Sequence, residues 1–363
     1  MDRNILASAL PLFEDGKVEA IEWSFDALFK VRNIPAWFVE LLDRYSNANS
    51  LLGHGVFFSL FSGRWTAEQE RWLAHLKKVS NEFNFTHITE HFGFMTGENF
   101  HQGAPISIPF TTTTLAIGRD RLKRIYHACQ CPVGLENLAF AYSIDEVKRH
   151  GEFLEELISP INGFIILDLH NLYCQLHNFG LSFEEIIQLY PLHRVKEIHI
   201  SGGSWKDSTI EPDRKIRRDT HDERVPDEVF SLLEKAIPLC PSVEFIVLEQ
   251  IGTGLQSDEA KDQFRVDFDR MNAIVNNQKE DSISTNNFLP HLPITTGPPA
   301  QNEQLHLDQM ELSHIIEHAT SYSDAMNKLR ASRLANSDWE IEKWQPGMVE
   351  TVVDIAQKWK DGF

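Results

Sequence analysis

The chain has 363 residues, 42% of them hydrophobic and 24% charged, and its formal net charge is −19. This composition is typical of a globular protein and excludes collagen, coiled-coil arrays and disordered chains. The acidic excess disfavours a nucleic-acid partner, because phosphate binding needs clustered lysine and arginine. No apolar run reaches the ~20 residues of a membrane span, and the four cysteines are too few for a disulfide scaffold, so we expect a cytoplasmic protein without a membrane partner.

Short apolar runs alternate with longer amphipathic stretches in the first part of the chain. The runs predict eight strands, at 4–9, 18–24, 51–59, 85–91, 132–136, 163–168, 195–200 and 243–249. Helices are predicted between most of them, for example at 66–80, 144–158, 182–190, 226–238 and 257–275. Eight such units predict an α/β fold of the (β/α)₈ TIM-barrel class, with an open doubly wound sheet as the alternative. The first unit fits least well, because residues 10–17 leave no room for a helix after the first predicted strand.

The composition changes near residue 277. Residues 277–304 are polar, contain four prolines and lack apolar periodicity, which predicts a flexible linker. The predicted domains are therefore a barrel domain at 1–276 and a small helical C-terminal extension at 305–363. The extension either packs on the barrel or recognises a peptide or partner protein. Its His314-Ile-Ile-Glu317-His318 segment matches a zinc-protease pattern, but a solvated helix face explains it better in so short an appendage.

Polar side chains mark the ends of most predicted strands. In a TIM barrel the carboxyl ends of the strands surround one mouth, where active sites lie. Taken singly, a strand-end histidine or carboxylate is more often structural, for example as a helix cap. Their coincidence at one mouth predicts a metal site. The candidates at strand ends are His54, His91, Glu136, Asp168, His199 and Glu249.

Two further candidates, Asp219 and His221, lie in the long segment 201–225. A loop of this length is often functional, and the Asp-x-His spacing places both side chains on one side of an extended segment. Imidazole and carboxylate without cysteine suit iron, zinc or manganese. Eight such groups are too many for one ion, and carboxylates bridge ions well, so two or three metals are predicted. Residues that could surround the ions or bind them are Glu90, Asn137, His170 and Asn171. Glu22 and Asp26 are expected at the rim or next to the ligands, and His87 and His150 are expected to be structural.

The order of several short blocks carries a family resemblance. The blocks are HGVFFSL, THITEHFGF, GLENLAF, GFIILDLHNLY, EIHISGG, DTHDERVPDEVF and VLEQIG. In this order they resemble the multinuclear non-heme iron-dependent oxidative enzymes, the family of the methanobactin biosynthesis enzyme, over nearly all of residues 1–276. Two segments depart from the family pattern, namely DLHN at His170 and ISGG at 200–203.

The resemblance implies a barrel of the xylose-isomerase type with two or three irons at its mouth. It implies dioxygen-dependent oxidation of a residue, often cysteine, in a ribosomally synthesised peptide during natural-product biosynthesis. It also implies a precursor-peptide substrate and a partner protein or domain that captures the peptide. A purified sample could carry zinc or manganese in the same ligands. Matched by position, the implied ligands are His54, His91, Glu136, Asp168, His199, Asp219, His221 and Glu249, with Asn171 as a ligand or a neighbour of the ligands.

Two alternatives remain at this point. The first is a divalent-metal hydrolase or isomerase of the xylose-isomerase or endonuclease-IV type, which uses a similar histidine and carboxylate set. The second is a non-catalytic metal-binding partner protein that uses the barrel mouth to hold another molecule. Metal content and dioxygen consumption distinguish the three interpretations.

Overall fold

The computed structural model describes residues 2–29, 31, 34–97, 102–278 and 286–361. Within them, one parallel sheet forms the core, and each of its strands pairs with the next in chain order. Its seven strands are β1 (Ile21–Trp23), β2 (Leu51–Gly55), β3 (His87–His91), β4 (Val133–Glu136), β5 (Phe164–Asp168), β6 (Val195–Ser201) and β7 (Phe245–Glu249).

Helices precede the sheet, connect its strands and follow it. Those of the barrel are α1 (Arg3–Glu14), α2 (Ala36–Asn47), α3 (Ala67–Glu82), α4 (Thr112–Cys129), α5 (Ile144–Ile158), α6 (Leu169–Phe179), α7 (Phe183–Ile187), α8 (Asp227–Ala236) and α9 (Asp258–Gln278). The C-terminal helices are α10 (Glu303–His318), α11 (Tyr322–Ala331) and α12 (Pro346–Trp359). Among these described helices, none combines the length and hydrophobicity needed to cross a membrane.

Several helix starts are encoded by single polar residues. The side chains of Thr66, Thr111, Ser143 and Ser182 each accept a hydrogen bond from the backbone N–H three residues later. Such caps satisfy donors that the first helical turn leaves unpaired. The predicted helices at 66–80, 144–158, 182–190, 226–238 and 257–275 all coincide with observed helices.

Contacts across the sheet show that it curves into a barrel. His87 on β3 has its Nε2 atom 2.7 Å from Glu197 Oε2 on β6, and its ring lies 5.5 Å from that of Phe245 on β7. β3 and β6 are separated by two strands along the sheet. An open sheet would keep these side chains apart, so the predicted TIM-barrel class is confirmed and the doubly wound alternative is wrong.

The first predicted strand is wrong, because residues 4–9 belong to helix α1. The apolar residues Ile5, Ala9 and Leu12 recur at helical spacing and pack against Phe264 of α9. The Asp2 side chain caps the helix by accepting a hydrogen bond from Asn4 N at 2.7 Å. The helix continues to Glu14 through Pro11, so residues 10–14 are helical where the sequence predicted none. The other seven runs each coincide with a strand.

The barrel is nearly closed, with β1 and β7 at the two edges of the described sheet. A cavity of about 1180 Å³ lies between these edges and is lined by both strands, by α1 and by α9. Its lining is mainly apolar, and at its upper end it reaches Glu22, His221 and Glu249. The cavity therefore connects with the mouth of the barrel.

The C-terminal extension contacts the barrel through buried groups. Gln309 on α10 accepts a hydrogen bond from Gly63 N and donates one to Phe61 O, both at 2.8 Å. The ring of Trp344 stacks on that of Tyr142 with 3.8 Å between centroids. Residues 279–285 of the predicted linker lie outside the described residues. The division at residues 277 and 304 stays a prediction.

We expect the buried histidine His150 to make folding stability depend on pH. Its Nε2 atom accepts a hydrogen bond from Leu138 N at 3.2 Å, and burial lowers its pKa from 6.5 to about 3. The unfolded chain binds a proton near pH 6.5 while the folded chain does not, so stability falls as the pH drops through this window. The His150→Gln variant keeps an acceptor and should lose this dependence.

Urea unfolding between pH 7 and pH 5 measures the effect. The free energy of unfolding of the wild type should fall by about 2 kcal/mol more than that of His150→Gln. His127→Gln, at an exposed position of α4, is the matched control and should follow the wild type. Parallel profiles for all three proteins would contradict the prediction.

Candidate metal centre

The carboxyl ends of the seven strands bring the predicted residues to one mouth. In the sheet, His91 on β3 is paired with Glu136 on β4, and Asp168 on β5 is paired with His199 on β6. Side chains of β2 and β6 meet across the barrel, since the rings of His54 and His199 lie 5.8 Å apart. The mouth therefore gathers side chains from β1 to β7, namely Glu22, His54, His91, Glu136, Asp168, His199 and Glu249.

The first group of potential ligands is His54, His91 and Glu136. The Nε2 atoms of both histidines lie 3.4 Å from Glu136 Oε2. His91 Nδ1 donates to the carbonyl oxygen of Gly55 at 3.1 Å. His54 Nδ1 lies 2.8 Å from the Thr89 hydroxyl, which itself donates to Gly53 O, so the imidazole is the donor. In each ring Nδ1 is thus the donor to a neighbouring group, and Nε2 is the atom that faces the carboxylate oxygen.

The second group is Glu136, Asp168, His199 and Glu249, and its ligand atoms all lie within 4.8 Å of one another. His199 Nδ1 is 3.4 Å from Glu249 Oε2. Three buried atoms, namely Glu136 Oε2, Asp168 Oδ2 and His199 Nδ1, form no hydrogen bond with the described residues. Glu136 belongs to both groups, so its carboxylate can bridge two ions.

Two asparagines hold Glu136 and Asp168 of the second group in place. Asn171 donates its backbone N–H to Asp168 Oδ1 and its amide Nδ2 to Glu136 Oε1. Asn137 joins β4 to β5 by accepting from Asp168 N and donating to Asp168 O. Each bond occupies one carboxylate oxygen or the backbone and leaves the other oxygen directed to the mouth. Asn171 and Asn137 are therefore neighbours of the candidate ligands in this geometry.

Asp219 and His221 lie beside the second group but outside it. His221 Nε2 is 3.0 Å from Asp219 Oδ2, and His221 Nδ1 is 3.4 Å from Glu249 Oε2. His221 adopts a φ of 52°, a left-handed conformation that is uncommon for residues other than glycine and is often found at functional sites. His170 Nδ1 is 2.9 Å from Asp219 Oδ1, so His170 contacts a candidate ligand rather than the mouth itself.

Glu90 faces away from these groups. Its Oε1 atom accepts a hydrogen bond from Phe58 N at 2.8 Å, and burial raises its pKa well above the usual value. The chain passes close by at Gly55, where a Cβ atom would lie only 1.8 Å from Glu90 Oε2. Glu90 thus supports the loop after β2 and is not part of either group.

Sequence reasoning missed a third group, formed by Glu22, Glu197 and His199. His199 Nε2 lies 3.3 Å from both Glu22 Oε2 and Glu197 Oε1. Glu22 was expected at the rim or next to the ligands, and Glu197 was not considered. The signal for Glu197 was available, because residues two apart on a strand point to the same face, and His199 was already placed inside. Glu197 also pairs with His87, which the sequence analysis treated as structural.

The charges of the mouth favour bound cations. Burial opposes protonation of His54, but Glu22, Glu136 and Glu249 outweigh it and raise its pKa to about 10. Burial, Glu136 and Asp219 raise the pKa of Asp168. Burial raises the pKa of Glu22 to about 7. Carboxylates this close repel one another, and positive charge among them is stabilising.

The fold and the site define a class of TIM-barrel protein with a histidine and carboxylate centre at the carboxyl ends of its strands. Residues 30–252 match the family described as RiPP precursor modification enzyme MbnB/TglH/ChrH. The chain belongs to this family, in agreement with the resemblance read from the sequence blocks.

Individual relatives are more distant. The chain is 26% identical over 185 residues to a UPF0276 protein of Caulobacter vibrioides, a match that covers 50% of this chain and 62% of the relative. A UPF0276 protein of Chromobacterium violaceum is 27% identical over 199 residues, covering 54% of this chain and 68% of the relative. The chain thus spans less than two thirds of the length of the Caulobacter protein. Endonuclease IV from Thermus thermophilus has a similar structure, with a TM-score of 0.47, 14% identity and coverage of 76% of this chain and 96% of that enzyme.

Proposed function

We propose that this protein holds two or three iron ions at the barrel mouth and uses dioxygen to oxidise a residue, namely cysteine, in a ribosomally synthesised peptide. Membership of a family of RiPP precursor modification enzymes supports a peptide substrate. The proposed ligands are His54, His91, Glu136, Asp168, His199, Asp219, His221 and Glu249. Zinc or manganese could occupy the same ligands in a purified sample.

One observation carries the metal assignment. The Nε2 atoms of His54 and His91 converge on the same Glu136 oxygen at 3.4 Å, and the Nδ1 atom of each ring is already bonded elsewhere. Two imidazole nitrogens and one carboxylate oxygen that converge in this way can ligate a cation, and the raised pKa of His54 shows that positive charge is favoured at this point. The absence of cysteine from the three groups also fits iron, which binds imidazole and carboxylate readily.

Iron supplies the redox chemistry with dioxygen when it is bound, and the chain supplies positions and surroundings. Glu136 joins the first two groups, while Asn171 holds its other oxygen. The side-chain amide of Asn137 bonds the backbone N–H and carbonyl oxygen of Asp168 and so keeps the ends of β4 and β5 together beneath the site. The cavity between β1 and β7 gives an apolar approach to Glu249 and His221, large enough for several side chains of a peptide.

We also propose that capture of the precursor peptide involves either the C-terminal extension or a separate partner protein, and that the enzyme acts in the cytoplasm. The extension lies against the barrel at Gly63 and Tyr142, so it can contact a peptide that crosses this side of the molecule.

Metal content and dioxygen consumption test the proposed function. Protein purified without chelators and reconstituted anaerobically with ferrous iron should hold at least two irons per chain. It should consume dioxygen when a cysteine-containing peptide encoded beside the gene is added, and His199→Ala should lose both properties. One zinc or manganese ion with no dioxygen uptake would overturn the proposal in favour of the hydrolase or isomerase. Bound metals without turnover of peptide, sugar or phosphodiester would overturn it in favour of a non-catalytic partner protein.

A further inference from the structure

The Asp219 carboxylate contacts a series of two buried side chains, His170 and Arg217. Its Oδ1 atom lies 2.9 Å from His170 Nδ1, and His170 Nε2 in turn lies 3.1 Å from Arg217 Nε. His170 is fully buried and Arg217 is 3% exposed. These contacts therefore link Arg217 through His170 to a candidate ligand, whose Oδ1 atom also lies 3.0 Å from His221 Nε2.

The contact with Arg217 determines which ring nitrogen of His170 carries the proton. The guanidinium can only donate, so the His170 Nε2 atom must accept and is unprotonated. The proton of the neutral ring is then on Nδ1, where it can be donated to Asp219 Oδ1. The Cys174 Sγ atom is 4.0 Å from the same nitrogen and is a weaker partner than the carboxylate at 2.9 Å.

The surroundings keep both side chains in place. The Arg217 guanidinium lies 5.0 Å from the ring centre of Trp205 and 5.6 Å from that of Tyr173. Asn178 accepts from the backbone N–H of Arg217 and donates to its carbonyl oxygen, both at 2.9 Å. A Cβ atom at Gly203 would lie 2.7 Å from His170 Cε1, so the imidazole occupies space that only glycine leaves open. The two segments that depart from the family pattern, at His170 and at 200–203, are thus in contact.

We propose that Arg217 and His170 are positioning residues for the metal centre. Arg217 holds His170 in the Nδ1–H tautomer, and His170 orients Asp219 for the ion that Asp219 and His221 would share. Hydrogen bonds behind a metal ligand typically change metal affinity by about 10–100-fold. The inference rests on the proposed function in one respect, which is that Asp219 binds a metal.

Titration of the metal-free protein with Co²⁺ alone tests the inference without any turnover, because bound Co²⁺ has a visible absorption spectrum. His170→Phe removes the donor to Asp219 and should weaken one Co²⁺ site by about 10–100-fold. His170→Asn places an amide N–H near the Nδ1 position and should restore most of the affinity. Arg217→Met should weaken the same site in the wild-type background but have no further effect in the His170→Asn background, where no tautomer has to be selected.

Two reference variants distinguish a wrong assignment of Asp219 as a metal ligand from a wrong positioning role for His170 and Arg217. Arg214→Met is the matched control, because Arg214 lies in the same loop but pairs with Glu211 and the Asn178 carbonyl, and it should leave every site unchanged. Asp219→Ala should abolish the affected site; if it binds Co²⁺ like the wild type, the assignment of Asp219 as a ligand is wrong. If Asp219→Ala loses the site while His170→Phe and Arg217→Met keep wild-type affinity, the positioning role alone is wrong. Equal losses in His170→Asn and His170→Phe would also overturn it.

Discussion

Replacing Glu136 by alanine should remove or weaken two metal sites at once, whereas replacing His91 by alanine should affect only one. Glu136 is shared by the group with His54 and His91 and by the group with Asp168, His199 and Glu249. Without its carboxylate the first group retains only two imidazoles, which is too few to hold an ion, and the second loses one of its four ligands. We expect affinity to fall at least about 100-fold at both sites, because even changes behind a ligand cost 10–100-fold.

Metal analysis after anaerobic reconstitution with ferrous iron measures this difference as ions per chain. Dioxygen uptake with the peptide should fall to background in Glu136→Ala. Glu90→Gln is the matched control, because Glu90 is a buried carboxyl next to His91 on β3 that faces away from the groups and accepts a hydrogen bond from Phe58 N. The control should keep the wild-type count. Equal metal content in Glu136→Ala and His91→Ala would contradict a bridging role for Glu136.

Replacing His87 by leucine should destabilise the folded protein by about 3 kcal/mol, the upper end of the usual cost of leaving a buried acceptor without its hydrogen-bond partner. Neither His87 nor Glu197 is exposed at all, and they lie 2.7 Å apart inside the barrel, below His199. Burial opposes ionisation of Glu197, but His87 and His199 outweigh it and lower its pKa. A leucine at position 87 fills a similar volume but leaves the Glu197 carboxylate without its hydrogen bond to His87 Nε2.

Urea unfolding of the metal-free proteins provides the measurement. His87→Gln keeps an N–H donor near the Nε2 position, and we expect it to recover more than half of the lost stability. His127→Leu on the surface of α4 should change stability by no more than about 0.5 kcal/mol. A loss for His87→Gln as large as that for His87→Leu would show that volume and ring packing against Phe164 and Phe245, rather than the pair with Glu197, set the effect.

The sequence by itself determined the class of fold and the position of the site. Seven of the eight apolar runs became strands because short β-rich segments between helices have few other stable arrangements, and parallel strands gather their carboxyl ends at one edge. His54, His91, Glu136, Asp168, His199 and Glu249 could therefore be placed together before any distance was known. The run at 4–9 was misassigned because a short apolar segment fits a strand and a helix equally well, and its packing against α9 decided for the helix.

Only the tertiary structure decided which side chains lie close enough to share an ion and which ones bond to those side chains. Pairings such as His87 with Glu197 cross the barrel, and Arg217 reaches His170 from 47 residues away. Contacts of this kind depend on barrel curvature and on how the loop at 201–225 folds over the mouth, and neither property has a local pattern in the sequence. The sequence can place a residue at the end of a strand. The direction in which a ligand's nitrogen or oxygen atom points depends on hydrogen bonds from residues far along the chain. The bond from Asn171 Nδ2 to Glu136 Oε1 is an example.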